Sequence, residues 1–160
     1  MIDFRAPLAD LAARLPARAR LIGLDLGTKT IGVAVSDVER RIASPLETIR
    51  RTKFSADAAR LVEIAAAQQA AALVLGLPLN MDGTEGPRCQ ATRAFARNLA
   101  PLIAAPILFW DERLSTAAVT RSLIEQDASR AKRADVVDRM AAAYILQGAL
   151  DILARLPQTR

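Results

Sequence analysis

Short β-rich runs separated by turn residues dominate the pattern of hydrophobic and polar positions after residue 19. Residues 20–26 and 31–37 form two such runs, and the segment Gly27-Thr28-Lys29-Thr30 between them predicts a hairpin. A third strand is predicted over residues 42–49, where Pro45 favours an edge or a bulge of a sheet. We therefore expect three adjacent antiparallel strands at the start of the domain.

The segment before these strands has helical spacing instead. Leu8, Leu11 and Leu15 recur every three or four positions, which predicts a short amphipathic helix packed on the domain. We interpret residues 1–19 as an N-terminal extension and residues 20–156 as the main domain.

Helices and strands alternate after the third strand. Ser55 is predicted to cap a helix that ends near Ala71. The wholly apolar run 73–77 is typical of a central strand that is covered on both faces. A loop is predicted over residues 78–86, and Pro87 suits the first position of the helix that follows it.

The last third of the chain continues this alternation. We predict a buried strand at 107–110, a helix from Ser115 to Glu125, a charged loop at 127–133 and a final helix at 135–153. Three antiparallel strands followed by alternating helices and strands predict an α/β domain with a mixed, partly parallel sheet.

Length and charge narrow the class of protein. A chain of 160 residues suits one domain with a substantial core. Its 22 basic and 17 acidic side chains give a net charge of +5, which favours an acidic partner such as nucleic acid. Since no run has the length of a membrane-spanning helix and the N-terminus lacks a signal-peptide pattern, we expect a soluble, cytoplasmic protein without membrane contact.

The absence of histidine limits the chemistry further. It excludes Ser-His-Asp and Cys-His catalysis, histidine general bases and histidine-ligated zinc. The single cysteine, Cys89, excludes an intramolecular disulfide. A catalyst built from this chain must use carboxylates, lysine, hydroxyl groups or a metal held by oxygen ligands.

Three carboxylates fall where such a sheet is expected to form a site. Asp25 lies in the first strand, Glu112 follows the strand at 107–110, and Asp138 lies on the face of the last helix that must pack on the sheet. Converging carboxylates suit magnesium or manganese, which prefer oxygen ligands. Two such ions could bind the attacking and leaving oxygens of a phosphodiester.

Each carboxylate also has an ordinary structural alternative. Asp25 could form an ion pair with Lys29 or accept hydrogen bonds from the amides of the turn. Glu112 could pair with Arg113, and Asp138 could be a first-turn acid stabilised by the helix N-terminus. The rivals for a place in the cluster are Asp37, Asp82 and Asp111.

The glycine turn beside Asp25 offers free amides and hydroxyl groups, and Thr28 and Lys29 are its candidate substrate contacts. The turn resembles the Asp-x-Gly-Thr hairpins of the actin, sugar-kinase and Hsp70 group, but an ATPase of that group needs a second lobe that this chain is too short to supply. The predicted phosphate contacts nearest the site are Arg88, Arg113, Lys132 and Arg133. Since the few aromatic residues are spaced as core residues, recognition of backbone and shape is expected.

Four segments resemble one bacterial family. The segments cover most of residues 20–153 and are, in chain order, LIGLDLGTKTIGVAVSD, LVLGLPLNMDGTEGPR, WDERLST and VVDRMAAAYILQ. They resemble the YqgF/RuvX family, which is associated with pre-16S rRNA nuclease and Holliday junction resolvase activities. The resemblance implies an RNase H-like fold: a mixed five-stranded sheet of three antiparallel strands followed by two parallel strands, with helices on both faces.

The same resemblance implies metal-dependent phosphodiester hydrolysis with magnesium or manganese. The family's acidic positions fall on Asp25, Glu112 and Asp138, which are therefore the expected catalytic and metal-binding residues. The segment from Asn80 to Arg88 matches the family's NMDGTE loop, which implies contact with substrate; a stable glycine-rich surface turn is the alternative.

Two substrates and one inactive role follow from this resemblance. The first is the 5′ end of precursor 16S rRNA during ribosome biogenesis, with ribosomal assembly partners. The second is a four-way DNA junction, for which a homodimer would place two cuts symmetrically. A catalytically silent nucleic-acid-binding module is the third alternative, although the intact acidic triad argues against it. Whether the protein is a monomer or a homodimer stays open at this point.

Overall fold

A mixed five-stranded sheet forms the centre of the protein in a computed structural model, which describes residues 5–114 and 130–157. The strands lie in the order β3-β2-β1-β4-β5. They are β1 (Arg20–Leu26), β2 (Thr30–Ser36), β3 (Ala43–Arg50), β4 (Ala70–Leu77) and β5 (Ile107–Asp111). The first three strands pair antiparallel, whereas β4 runs parallel to β1 and β5 runs parallel to β4. The predicted sheet is therefore confirmed.

Helices cover both faces of this sheet. They are α1 (Arg5–Arg14), α2 (Phe54–Gln68), α3 (Pro87–Leu99) and α4 (Arg130–Arg155). The apolar cluster on one face includes residues of α1 and α4, and the cluster on the other face includes residues of α2 and α3. Because successive strand residues point to opposite faces, strands covered on both sides need apolar residues at nearly every position. Helices on both faces are thus confirmed.

The helix predicted before residue 20 is also present. Leu8 and Leu11 of α1 are buried in the same apolar cluster as Leu146 and Leu150 of α4. The helix therefore contributes directly to the core. The division of the chain at residue 20 stays a prediction.

Strand β3 forms one edge of the sheet, as Pro45 suggested. The register between β2 and β3 shifts between Val33 and Ala34, where the facing residues are Glu47 and Pro45. Proline has no backbone N–H to donate to a ladder, so it is tolerated at an edge or at an irregularity. Pro45 lies on an edge strand and also at the shift in register.

The limits of α2 differ from the prediction. The helix begins at Phe54, and the exposed Ser55 lies inside the first turn instead of capping it. The carboxylate of Asp57 accepts a hydrogen bond from a backbone N–H of the preceding loop at 3.1 Å, so a first-turn acid binds the loop at this helix end. The helix ends at Gln68, earlier than predicted, because Gln69 adopts a left-handed φ of 51° and β4 follows at once.

The last helix starts earlier than predicted. It begins at Arg130 instead of residue 135, so residues 130–133 of the predicted charged loop are helical. The predicted helix at 115–125 and the loop residues 127–129 lie outside the described residues. Among the described residues, no helix combines the length and the apolar character that crossing a membrane requires.

Candidate active site

The buried carboxylate of Asp25 defines the centre of the candidate site. Asp25 is the penultimate residue of β1 and is 1% exposed. Its neighbours Leu24 and Leu26 belong to the apolar cluster under α2 and α3. Strand alternation therefore directs Asp25 to the opposite face, which α4 covers.

Glycines on the two neighbouring strands flank this carboxylate and let other parts of the chain approach the sheet beside it. Asp25 pairs with Gly32 of β2, and the pairing of Leu24 with Leu75 brings Gly76 of β4 alongside on the other side. A Cβ at Gly32 would lie 1.9 Å from the backbone oxygen of Asp138, so α4 rests directly on that glycine. The backbone of α4 can approach the sheet this closely only where a side chain is missing.

Glu112 occupies the space above Gly76. A Cβ at Gly76 would lie 2.7 Å from the Glu112 Oε1 atom and 2.5 Å from a methyl group of Ile145 in α4. Glu112 therefore reaches over β4 on the face that α4 covers. The three predicted acidic residues thus lie on one face of the sheet, with Asp25 between the other two.

Asp138 is tied to the start of β2. The hydroxyl group of Thr30 donates a hydrogen bond to Asp138 Oδ2. Since α4 begins at Arg130, Asp138 lies beyond the first turn, where the field of a helix N-terminus is weak. The alternative of a first-turn acid is therefore wrong.

Arg113 forms an ion pair with Asp111. Its guanidinium donates to both carboxylate oxygens, with Nη2 2.7 Å from Oδ2 and Nε 3.0 Å from Oδ1. This bond raises the pKa of Arg113 above its ordinary value. Asp111 is 3% exposed and is thus committed to Arg113.

The other two rival carboxylates are held in turns. Backbone N–H groups of Arg41 and Ile42 donate to Asp37, and the bond from Ile42 is the main cause that lowers the pKa of Asp37. The Thr84 hydroxyl and N–H donate to Asp82, which likewise lowers its pKa. Both carboxylates therefore have local structural roles.

The carboxylates suit a hard divalent cation by their chemistry and by their common face. Asp25, Glu112 and Asp138 supply oxygen ligands alone, which favours magnesium or manganese. Within residues 5–114 and 137–157, however, no three acidic or cysteine side chains are arranged closely enough to hold a metal ion. The residues present therefore fit such an ion in the type of ligand atom and in lying on one face of the sheet, whereas binding would require their side chains to move closer together.

The loop between β4 and α3 is a structured turn. The backbone N–H of Asn80 donates to the Thr84 carbonyl at 2.9 Å, and the N–H of Gly83 donates to the Asn80 carbonyl at 2.8 Å. Arg113 reaches this loop, since its Nη1 atom donates to the Met81 carbonyl at 3.3 Å. The loop is therefore anchored to the end of β5 beside Glu112.

The predicted substrate contacts are accessible where the structure describes them. Thr28 and Lys29 are exposed in the turn between β1 and β2, and Arg113 is exposed at the end of β5. Asn80 is exposed in the loop and Arg88 in the first turn of α3. The side chains of the two remaining predictions, Lys132 and Arg133, lie outside the described residues.

Cys89 does not add a nucleophile to the site. The thiol is buried, and its burial, followed by a hydrogen bond to Glu85, raises the pKa of Cys89 to about 11. A thiol with this pKa stays protonated at neutral pH and is a poor nucleophile.

Sequence reasoning missed the role of Arg51. Its guanidinium donates to the carbonyl of Gly27 at 2.6 Å, in the turn that follows Asp25. The two residues are 24 positions apart, so no spacing signal connects them. The register of β3 on β2, which pairs Arg50 with Thr30, is what brings them together.

Replacing Arg113 by Ala is expected to loosen the loop at 78–86, because the loop loses its bond to the end of β5 and Asp111 keeps only the bond from the backbone N–H of residue 113. We expect cleavage after Glu85 by a glutamate-specific protease to become about tenfold faster, as for the loss of one charge-assisted hydrogen bond. Limited proteolysis under native conditions measures this rate. Arg97→Ala, on the exposed side of α3, is the control and should leave it unchanged; an equal rate in Arg113→Ala would contradict the anchoring role.

The fold and the buried strand carboxylate place the protein in the RNase H-like class of α/β folds. The structure of Thermus thermophilus RuvC in complex with a Holliday junction substrate is similar, with a TM-score of 0.55 at 14% identity, covering 86% of this chain and 95% of that one. A second Thermus thermophilus RuvC structure gives a TM-score of 0.54 at 16% identity, covering 85% and 95%. The shared fold confirms the RNase H-like prediction.

The chain belongs to the RuvX family. The model of this family, described as Holliday junction resolvase, matches residues 19–152. A relative from Methylocella silvestris is 70% identical over 93% of this chain and 92% of its own length, and bears the name "Putative pre-16S rRNA nuclease". A relative of the same name from Rhodopseudomonas palustris strain BisB5 is 64% identical over 94% of each chain.

Proposed function

We propose that this protein is a metal-dependent nuclease that hydrolyses phosphodiester bonds at the 5′ end of precursor 16S rRNA during ribosome biogenesis. The observation that carries the proposal is the row of Asp25, Glu112 and Asp138 on one face of an RNase H-like sheet. Glycines on the strands on either side of Asp25 let α4 and Glu112 approach this face. The names of the relatives from Methylocella silvestris and Rhodopseudomonas palustris support the RNA substrate.

Asp25, Glu112 and Asp138 would hold the divalent ions in this proposal, with magnesium or manganese as the candidates. When bound, such ions activate water as a nucleophile and stabilise charge on the leaving oxygen. The chain contributes the fixed position of Asp25 in the sheet and the bond from Thr30 that orients Asp138.

Basic and polar groups around the carboxylates would hold the nucleic acid. Lys29 and Thr28 lie in the turn directly after β1, and Arg113 lies beside Glu112. Phosphate contacts of this kind fix the register of a strand without reading its sequence. Arg88 and Asn80 would extend these contacts, and Lys132 and Arg133 remain candidates from the sequence.

A four-way DNA junction is the second candidate substrate. The description of the family model favours it, and the fold shared with RuvC is compatible with it. Symmetrical cutting of a junction needs two active sites, so this function requires a homodimer, whereas RNA trimming is compatible with a monomer. If the substrate is precursor 16S rRNA, we also expect the protein to be cytoplasmic and to act with ribosomal assembly partners.

Cleavage of two labelled substrates tests the proposal. We would incubate the protein with a precursor 16S rRNA 5′ leader and with a four-way DNA junction, each with magnesium, with manganese and with a chelator. Cutting of the RNA alone, abolished by the chelator, is the expected result. Cutting of the junction alone would mean that four-way DNA, and not precursor rRNA, is the substrate. Binding of either nucleic acid without metal-dependent cutting would favour the catalytically silent binding module.

A further inference from the structure

Arg51 holds the turn that follows β1 from outside the hairpin. Its Nη1 atom donates to the carbonyl of Gly27 at 2.6 Å, and its backbone N–H donates to the carbonyl of Lys29 at 2.9 Å. The turn is also closed internally by the Gly27 N–H, which donates to the Thr30 carbonyl at 2.8 Å. Arg51 therefore binds the turn at two carbonyls.

The guanidinium of Arg51 is itself fixed by the helices on the opposite face from α4. Its Nε atom lies 4.0 Å from Oδ2 of Asp57 in α2, a carboxylate whose side chain is 4% exposed. Its Cζ atom lies 5.6 Å from the ring centre of Phe95 in α3, which packs edge-to-face on Phe54. A planar guanidinium can satisfy a carbonyl, a carboxylate and an aromatic face together, whereas a lysine ammonium cannot.

This anchored turn connects two of the candidate catalytic carboxylates. Asp25 lies two positions before Gly27 on the same strand, and Thr30, which closes the turn, donates to Asp138. A shift of the turn would therefore move the support of both carboxylates. Arg51 connects this support to α2 and α3, although it lies outside the acidic row.

We propose that Arg51 is a positioning residue for the candidate active site: it fixes the turn at 27–30 so that Asp25 and Asp138 keep their relative places. The proposal rests on the proposed function of this site as a nuclease centre. The bonds of Arg51 go to the carbonyls of Gly27 and Lys29, so it acts on the two carboxylates through the turn.

A contribution to stability alone would have a different signature. Loss of a general stabilising contact lowers the free energy of global unfolding, and it accelerates exchange of the amides that open only by global unfolding. Loss of a local anchor accelerates exchange at the turn and leaves the central strand amides unchanged. The Gly27 amide, bonded within the turn, and the Leu24 amide, in the middle of β1, are suitable probes of the two cases.

The first experiment compares amide hydrogen exchange by NMR in the wild type, Arg51→Ala, Arg51→Lys and Arg60→Ala. Arg60 is the matched control because it also forms ion pairs, with Glu47 at 2.5 Å and Glu63 at 2.9 Å, on an exposed side of α2. We expect exchange at Gly27 to become about tenfold faster in Arg51→Ala, as for one lost hydrogen bond to a charged group. Arg60→Ala should exchange as the wild type does, and unchanged exchange at Gly27 in Arg51→Ala would overturn the proposal.

The second experiment measures steady-state cleavage of the substrate that the wild type cuts. Because Arg51 acts on the two carboxylates through the turn, Arg51→Ala should lower kcat by about tenfold with KM nearly unchanged. Arg51→Lys keeps the charge, so its kcat should lie between those of Arg51→Ala and the wild type. If Arg51→Ala does not fold, Arg51→Lys replaces it in both experiments, and we then expect faster exchange at Gly27 and a lower kcat than in the wild type. A raised KM at constant kcat, or an unchanged kcat, would overturn the positioning role.

The two experiments separate this proposal from the proposed function. If the wild type cuts neither RNA nor junction, the nuclease proposal fails, while the exchange rate at Gly27 still decides whether Arg51 holds the turn. If the wild type cuts and Gly27 exchange is unaffected by Arg51→Ala, the nuclease proposal stands and the positioning role is overturned.

Discussion

Asp25→Asn is expected to abolish metal-dependent cleavage, lowering the single-turnover rate by about a thousandfold. Asparagine preserves the size of the side chain but removes the negative charge that would hold a divalent ion at the centre of the acidic row. The fold should persist, and its melting temperature should be equal or higher, because the substitution removes a buried charge that lies between Glu112 and Asp138. Cleavage in the presence of manganese and a thermal melt measure the two expectations.

Asp10→Asn is the matched control for this substitution. Asp10 is exposed on α1, where it forms an ion pair with Arg14 at 2.8 Å, so cleavage should equal that of the wild type. Pure Asp25→Asn that still cuts at a comparable rate would remove Asp25 from the catalytic set. If this variant melts at a lower temperature, Glu112→Gln serves as the second test, because Glu112 lies outside the strand.

Gly32→Ala should destabilise the protein more than any other single methyl group added near the site. The new Cβ would lie 1.9 Å from the backbone oxygen and 2.3 Å from the carbonyl carbon of Asp138, so α4 must move away from β2. Backbone displacement of this kind costs about 3 kcal/mol of unfolding free energy. It would also displace the Asp138 carboxylate, so cleavage should fall together with stability. Denaturation in urea measures the change through its midpoint.

Gly86→Ala provides the comparison, since it adds the same methyl group where there is space. Gly86 has a φ of −97°, which other residues adopt, and its Cβ would lie 3.6 Å from the side chain of Asn80. We expect its unfolding free energy to stay within about 0.5 kcal/mol of the wild type. Equal urea midpoints for Gly32→Ala and the wild type would mean that α4 does not rest on Gly32.

The sheet could be predicted from sequence because its strands have strong local signals. β-rich or continuously apolar runs marked β1, β2, β4 and β5, and Pro45 marked β3 as an edge or bulge. The predicted start of α4 was wrong. Residues 130–133 are mostly charged and have no apolar stripe to indicate a helix, but Lys and Arg are good helix formers and these residues are helical. The prediction that Ser55 caps α2 was also wrong. Several residues near the start of a helix can accept hydrogen bonds from backbone N–H groups, and here Asp57 does so.

The site was predictable in its composition but not in its architecture. Strand position and helix face singled out Asp25, Glu112 and Asp138. The sequence could not show that Gly32 makes room for the backbone of α4 and Gly76 for the side chain of Glu112. That role depends on which strands are neighbours, as does the contact of Arg51 with Gly27. Such contacts follow from tertiary packing, which local spacing does not encode.

The irregular edge at Pro45 restricts how copies of the chain could join. A long regular edge strand has a row of N–H and C=O groups that can form hydrogen bonds with a strand of a second molecule. In β3, proline and a shift in register interrupt this row. Continuous sheet extension across β3 is therefore disfavoured, which protects the protein against strand-by-strand polymerisation. A two-fold dimer, if a DNA junction is the substrate, is therefore not expected to form by pairing of the β3 edges of two copies.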